Sequence, residues 1–337
     1  MAFFRLRDWG VKGLTILRDR PNVSPVWALG AKARSDALER HVQDTCQRLR
    51  FPTDGVHRAM ERMYYDDTRK VIYCFVPKAG SPDTDASVKP DAESRLTAEP
   101  DWGRGSCCDP NLYSLCVASS SWKRVWLRMT GINDTTLDRY ALHAFLPRLA
   151  ANKDREEKLR TYKKFLMVRH PLERVLSAFR DKLETPDQHP AAVFQSQIDY
   201  FSKKIAGMIK AKYRGAAYRG GHNVTFAEFI RFISEAGRGT PEQRNEHWRP
   251  MHELCQPCAV RHDFIGKYEN LKEDADYLLQ WLGLTDLVDG FPASDRTFHA
   301  SRLDSKYLGQ LSHSDIMAFH AKHQADFLLF DYMSLHM

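Results

Sequence analysis

Residues 163–184 read KKFLMVRHPLERVLSAFRDKLE. KKFLMVR (163–169) is a β-rich apolar run behind two lysines, which predicts a buried strand. Pro171 stands where a first helical residue belongs, its φ already suited to a helix. Leu172, Val175, Leu176, Phe179 and Leu183 follow at helical spacing and give one apolar face. A strand therefore runs through a short turn straight into an amphipathic helix.

The same arrangement recurs on both sides. VIYCFV (71–76) is a continuous apolar run closed by Pro77, again a buried strand. HDFIGKYE (262–269) reads as a third strand, and LKEDADYLLQWLG (271–283) as a helix stopped by Gly283. Residues 36–64 read as helical, with Leu38, Val42 and Cys46 four residues apart. SSSWKRVWLRM (119–129) reads as a Ser N-cap and an amphipathic helix, and 191–213 as helical. Thr225 and Glu228 make a capping box ahead of FAEFIRFI. Strands alternating with helices predict an α/β fold, a central and largely parallel sheet flanked by helices.

The chain has 337 residues, 43% hydrophobic and 28% charged. That suits one large domain or two small ones and excludes a disordered chain, a collagen and a small cysteine-stapled fold. No internal repeat is present. The formal charge of +7 suits an anionic partner or plain solubility. No run of 18 apolar residues could cross a membrane. Residues 1–20 are broken by Arg5, Arg7, Asp8 and Lys12 and lack the apolar region of a signal peptide. Sequons at Asn22, Asn133 and Asn223 favour a secretory compartment only weakly.

One stretch departs from its surroundings. Residues 81–118 hold Pro82, Pro90, Pro100 and Pro110, with seven acids and three bases. Taking them out raises the formal charge from +7 to +11. Such a segment buries too little apolar surface to order, and a disordered insertion is expected. Three of the seven cysteines (107, 108 and 116) lie in it; the others are 46, 74, 255 and 258.

Three regions carry chemistry. VIYCFVPKAG delivers Lys78, Ala79 and Gly80 to the start of an expected helix, where backbone N–H groups and a lysine can cradle an anion. Taken alone, Pro-Lys-Ala-Gly is also an ordinary turn. Arg169 ends a strand with Ser177 eight residues on, and Arg174 and Arg180 add charge; the set can hold a phosphate or form a solvated basic face. NEHWRPMHELCQPCAVRHDFIGKYENL (245–271) holds a C-x-x-C, Cys255 and Cys258, among His247, His252 and His262. A zinc site, a redox pair and structural cysteines all remain open, the last being the plainest.

Together with HQADFLLFDY (323–332), these blocks resemble the Golgi carbohydrate sulfotransferases, most closely the chondroitin and dermatan 4-O-sulfotransferases. The resemblance covers most of 65–80 and 119–332, in order. It implies a P-loop-like sulfotransferase fold over 36–337, with 1–35 unmatched. It implies 3′-phosphoadenosine 5′-phosphosulfate as donor, an acidic glycosaminoglycan as acceptor, and neither metal nor nucleic acid. By that resemblance Lys78, Ala79 and Gly80 begin the 5′-phosphosulfate loop. Ser119, Ser120, Ser121, Trp122 and Lys123 complete it. Arg169 and Ser177, with Arg174 beside them, hold the 3′-phosphate. Lys78 stabilises the leaving oxygen, and His247, in an Asn-x-His-Trp element, is the candidate base. A core or substrate-orienting histidine is the alternative.

The chain departs from the family in two places. The family's Lys-x-Gly turn runs directly into its Ser/Thr-x-Trp-Lys helix, whereas residues 81–118 intervene here. The foreign composition reads as an unspliced or mispredicted stretch of the gene; the alternative is a diverged member. The family is also anchored in the Golgi membrane by an N-terminal segment, and residues 1–35 do not match one. An inactive relative that binds acidic glycan without donor is the second reading of function. A nucleotide kinase lacks its G-x-x-x-x-G-K-[ST] loop here.

Overall fold

The computed structural model describes residues 30–77, 117–131, 145–184, 199–215, 223–237, 239–288, 291 and 305–333. Helices α1 (Ala31–Arg48) and α2 (Val56–Met60) precede strands β1 (Met63–Asp66) and β2 (Val71–Cys74). Then come α3 (Val117–Met129), α4 (Arg155–Thr161), β3 (Lys163–Val168) and α5 (Pro171–Phe179). Wide π-type turns over Arg180–Glu184 and Asp199–Ile205 lead to α6 (Ala206–Arg214) and α7 (Phe226–Ser234). The chain continues through α8 (Met251–Cys255), β4 (Phe264–Lys267), α9 (Leu271–Trp281), α10 (Ser305–Leu308) and α11 (His313–Leu329).

The four strands lie in the order β1-β2-β3-β4. β2, β3 and β4 are mutually parallel, in the registers Tyr73↔Phe165 and Phe165↔Phe264; β1 is antiparallel to β2. Alternation along the strands separates two apolar layers. Tyr73, Phe165 and Phe264 pack with Trp122, Trp126, Leu278 and Leu282, from α3, α9 and the turn after α9. Ile72, Cys74, Leu166, Val168 and Ile265 pack with Leu38, Val42, Met251 and Leu329, from α1, α8 and α11. Burial on both faces is why these strands read as unbroken apolar runs. A third apolar cluster joins α5, α6, α7 and α11. Gly266 lets β4 in close, since a Cβ there would stand 2.5 Å from Met167 Sδ.

The expected strands, the helix after Pro171, the Thr225–Glu228 capping box and the stop at Gly283, where φ is +65°, are all present. Three expectations change. Residues 36–64 are not one helix: the chain leaves α1 at Arg50 (φ +52°), and Met63–Asp66 becomes a strand by pairing with β2. Ser119 does not cap α3, which already begins at Val117. The segment 81–118 therefore ends in helix; residues 81–116, with Cys107, Cys108 and Cys116, lie outside the described residues. So do 1–29, 191–198, Asn22 and Asn133.

The cysteines resolve the C-x-x-C. Cys46 bonds Cys258, and Cys74 bonds Cys255. The zinc and redox readings are thereby overturned, because Cys255 and Cys258 each hold a distant partner rather than a metal or each other. Among the described residues no cluster of His, Cys, Asp and Glu is arranged for a metal ion. The two bridges pin the end of α8 and the turn beyond it to α1 and to the end of β2, beside the site.

Candidate active site

The site lies past the carboxyl ends of β2 and β3, where α/β sheets present ligands to the following helices. Arg174, one turn into α5, organises it. Its guanidinium is 1% exposed and donates to three backbone carbonyls: Nε to Pro77 (2.9 Å), Nη1 to Arg249 (2.8 Å) and Nη2 to Glu246 (2.8 Å). Burial lowers its pKa to about 10, so it stays charged at neutral pH. Arg174 thus ties the residue before Lys78 to the 245–250 segment. In this arrangement the guanidinium acts as a positioning group for both segments.

His247 sits within that segment, 0% exposed, with Phe201 edge-on at 5.4 Å. Asn245 Oδ1 accepts the His247 backbone N–H at 3.1 Å and lies 2.6 Å from Nδ1. A backbone N–H only donates, so the Asn245 atom is its oxygen, and Nδ1 must carry the ring proton that faces it. Nε2 is then the basic nitrogen. Burial, followed by the charges of Lys182, Arg62, Arg174 and Lys123, holds the imidazole well below its ordinary pKa and therefore neutral.

Lys123 is buried, with Nζ 3.6 Å from the centre of the Phe75 ring, which Arg62 also approaches at 5.3 Å. Trp122, the residue before Lys123, points elsewhere. Its indole is 0% exposed and packs on Phe165 and Phe291, so its side chain is core behind the sheet and only its backbone could join a donor cradle. Adjacent helical residues point about 100° apart, which sends the two side chains to different faces. Ser119, Ser120 and Ser121 lie on α3, but their side chains are outside the described residues, as are Lys78, Ala79 and Gly80.

Arg169 follows β3, buried, with its guanidinium 4.2 Å from the Tyr268 ring centre and Nε 3.5 Å from Glu173. Ser177 is buried on α5. The structure thus brings Lys123, Arg174 and His247 to one locus, with Arg169 and Ser177 on the β3–α5 unit.

Sequence reasoning missed Arg62, Lys182 and Asp326. Lys182 stands in a π-type turn, buried, 3.1 Å from Asp181 and 4.9 Å from the Phe201 ring centre. Asp326 of α11, also buried, accepts from Met251 N (2.6 Å), His252 N (2.9 Å) and His252 Nδ1 (2.8 Å). It fastens α8 to α11. Burial acts to raise the Asp326 pKa, but His252 and His323 outweigh it and hold the carboxyl far below the usual range.

Residues 116–333 match the sequence model of the sulfotransferase family. The chain belongs to the sulfotransferase family. Human carbohydrate sulfotransferase 14 is 30% identical over 288 residues, 81% of this chain and 62% of its own length. Mouse carbohydrate sulfotransferase 8 is 27% identical over 333 residues, 94% and 68% of the two chains. Zebrafish (Danio rerio) carbohydrate sulfotransferase 14 is 34% identical over 227 residues, 64% and 57%. The chain thus spans less than two thirds of the human relative's length. No solved structure matches it. Among the described residues no helix is long and apolar enough to cross a membrane.

The buried neutral histidines predict a fold that loses stability in acid. Burial lowers His170 to about 4 and His262 to about 3, and His247 and His323 are also lowered. Below about pH 6.5 the unfolded chain protonates these groups while the folded one does not. Each then removes about 1.4 kcal/mol of stability per pH unit until its folded pKa is reached. His252 acts oppositely, because Asp326 outweighs burial and raises its pKa. Melting temperature measured from pH 7 to 5 should fall steeply; a flat profile would mean that these imidazoles are solvated.

Proposed function

We propose that the protein transfers the sulfuryl group of 3′-phosphoadenosine 5′-phosphosulfate to the 4-hydroxyl of N-acetylgalactosamine in a chondroitin- or dermatan-type glycan. The observation that carries this reading is the convergence of Lys182, Arg62, Arg174 and Lys123 on a neutral histidine, in a chain of the sulfotransferase family. Cations suit a phosphosulfate and an acidic acceptor, and a neutral imidazole can take a proton. The printed names of the relatives support a sugar acceptor. Two disulfides need an oxidising compartment, which supports the Golgi lumen.

In this mechanism the acceptor oxygen forms a bond to sulfur as the bond from sulfur to the bridging phosphate oxygen breaks. The hydroxyl proton passes to His247 Nε2. The leaving electron pair stays on the phosphate of adenosine 3′,5′-bisphosphate, where Lys78 and Lys123 stabilise it. Arg169 and Ser177 hold the 3′-phosphate. Donor anions offset the cations that depress His247, so its basicity rises once the donor is bound.

The test is transfer from radiolabelled donor to desulfated dermatan and chondroitin, with the modified position read by disaccharide analysis. Label at the 4-position is expected. His247→Ala should lower kcat by ~10²–10⁴ without weakening nucleotide binding. Glycan binding with neither nucleotide binding nor transfer would instead favour the inactive relative.

A further inference from the structure

β3 and β4 run parallel, and the last pair of their ladder is Val168 with Lys267. Arg169 and His170 leave one strand at that point, and Tyr268 and Glu269 leave the other in a 3-10 turn (Tyr268–Asn270). Glu269 carries the pairing one step further. Its Oε1 accepts the His170 backbone N–H at 2.9 Å, and its Oε2 accepts the Tyr332 hydroxyl at 3.0 Å. With Glu269 clamped to the residue after Arg169, the half-buried Tyr268 ring is set against Arg169. The guanidinium carbon lies over that ring, 4.2 Å from its centre.

A ring over Cζ covers the face of a guanidinium and leaves its in-plane N–H groups for other acceptors. Glu173 of α5 approaches the Nε side, at 3.5 Å. The two contacts together fix the plane of the Arg169 group and its rotation, and neither uses the terminal Nη groups, the pair that grips two oxygens of a phosphate side by side. An arginine is long and has many rotamers. One already held in its binding orientation loses less freedom when an anion arrives, and binds it more tightly.

We propose that Tyr268 is a positioning residue for the nucleotide: by stacking on Arg169 it orients the guanidinium toward the 3′-phosphate and so determines selectivity for a 3′-phosphorylated nucleotide. This assignment rests on the reading of Arg169 as the 3′-phosphate ligand. Tyr268 itself touches no phosphate in this account; it acts through Arg169.

The experiment is calorimetric binding of adenosine 3′,5′-bisphosphate and of adenosine 5′-monophosphate, which differ only in the 3′-phosphate. Wild-type protein should prefer the bisphosphate by ~10–100-fold. Tyr268→Leu should lower that ratio by ~3–30-fold, with affinity for the monophosphate kept within about twofold. Tyr268→Phe keeps the ring and should keep the ratio. Pentafluorophenylalanine at position 268 keeps the ring's shape without its negative face, and should lose the ratio while melting with the phenylalanine variant. An unchanged ratio in either the leucine or the fluorinated protein overturns the assignment and leaves the Arg169 reading standing. Equal weakening toward both nucleotides also overturns it, since the ring then only supports the fold. Wild-type protein that binds the two nucleotides alike, or binds neither, overturns the Arg169 reading and this assignment with it.

Discussion

Replacing Cys46, Cys74, Cys255 and Cys258 with serine is expected to leave little folded protein at about 37 °C. The bridge from Cys46 to Cys258 spans 212 residues, and that from Cys74 to Cys255 spans 181. In the chain-entropy account the first is worth about 5 kcal/mol. The second then closes a much shorter residual loop and adds about 3–4 kcal/mol. Measured bridges usually deliver about 2–4 kcal/mol each, and a domain has about 5–15 kcal/mol in total. The loss is therefore comparable to the whole stability. Thermal melting followed by circular dichroism, with and without reductant on the wild type, reads the effect. A melting temperature indifferent to both treatments would mean that the bridges add nothing to the fold.

Arg174→Met should cost about 3–5 kcal/mol and also weaken nucleotide binding by ~100-fold. Three carbonyls, of Pro77, Arg249 and Glu246, lose their donor in a place water does not reach. The same carbonyls join the end of β2 to the His247 segment, so the residue next to Lys78 loses its tether. Lysine cannot replace the guanidinium, because one ammonium does not span three acceptors set around a plane. Denaturant unfolding gives the first quantity, and calorimetry with adenosine 3′,5′-bisphosphate gives the second. A stable Arg174→Met protein with normal nucleotide affinity would sink the positioning role.

Several elements were legible because local pattern and tertiary role coincide. VIYCFV and the FLMV of KKFLMVR read as strands because both faces of the sheet are covered, so these runs are unbroken by charge. The Thr225–Glu228 box reads from four residues because both hydrogen bonds are local. β1 was not legible. MYYD (63–66) has no periodicity of its own and becomes a strand only by pairing with 71–74.

The site divides the same way. Arg169, Lys123 and His247 stand in motifs whose order along the chain could be read. Trp122 belongs to the same motif yet serves the core, since a helix turns neighbouring side chains to different faces. Arg62 carried no signal at all: it is one arginine among many until Glu246 and Phe75, far along the chain, fix where it points.

What the amino-acid sequence alone determined is the order of buried strands and capped helices, and the residue types available for anion chemistry. These depend on contacts within a few residues, where propensity and periodicity act. The tertiary structure alone decided which cysteines pair, that Arg174 holds three carbonyls, and that Arg62, paired with Glu246, brings its charge to His247. Those depend on groups tens to hundreds of residues apart, and only the packed sheet and its helices bring them within hydrogen-bonding reach.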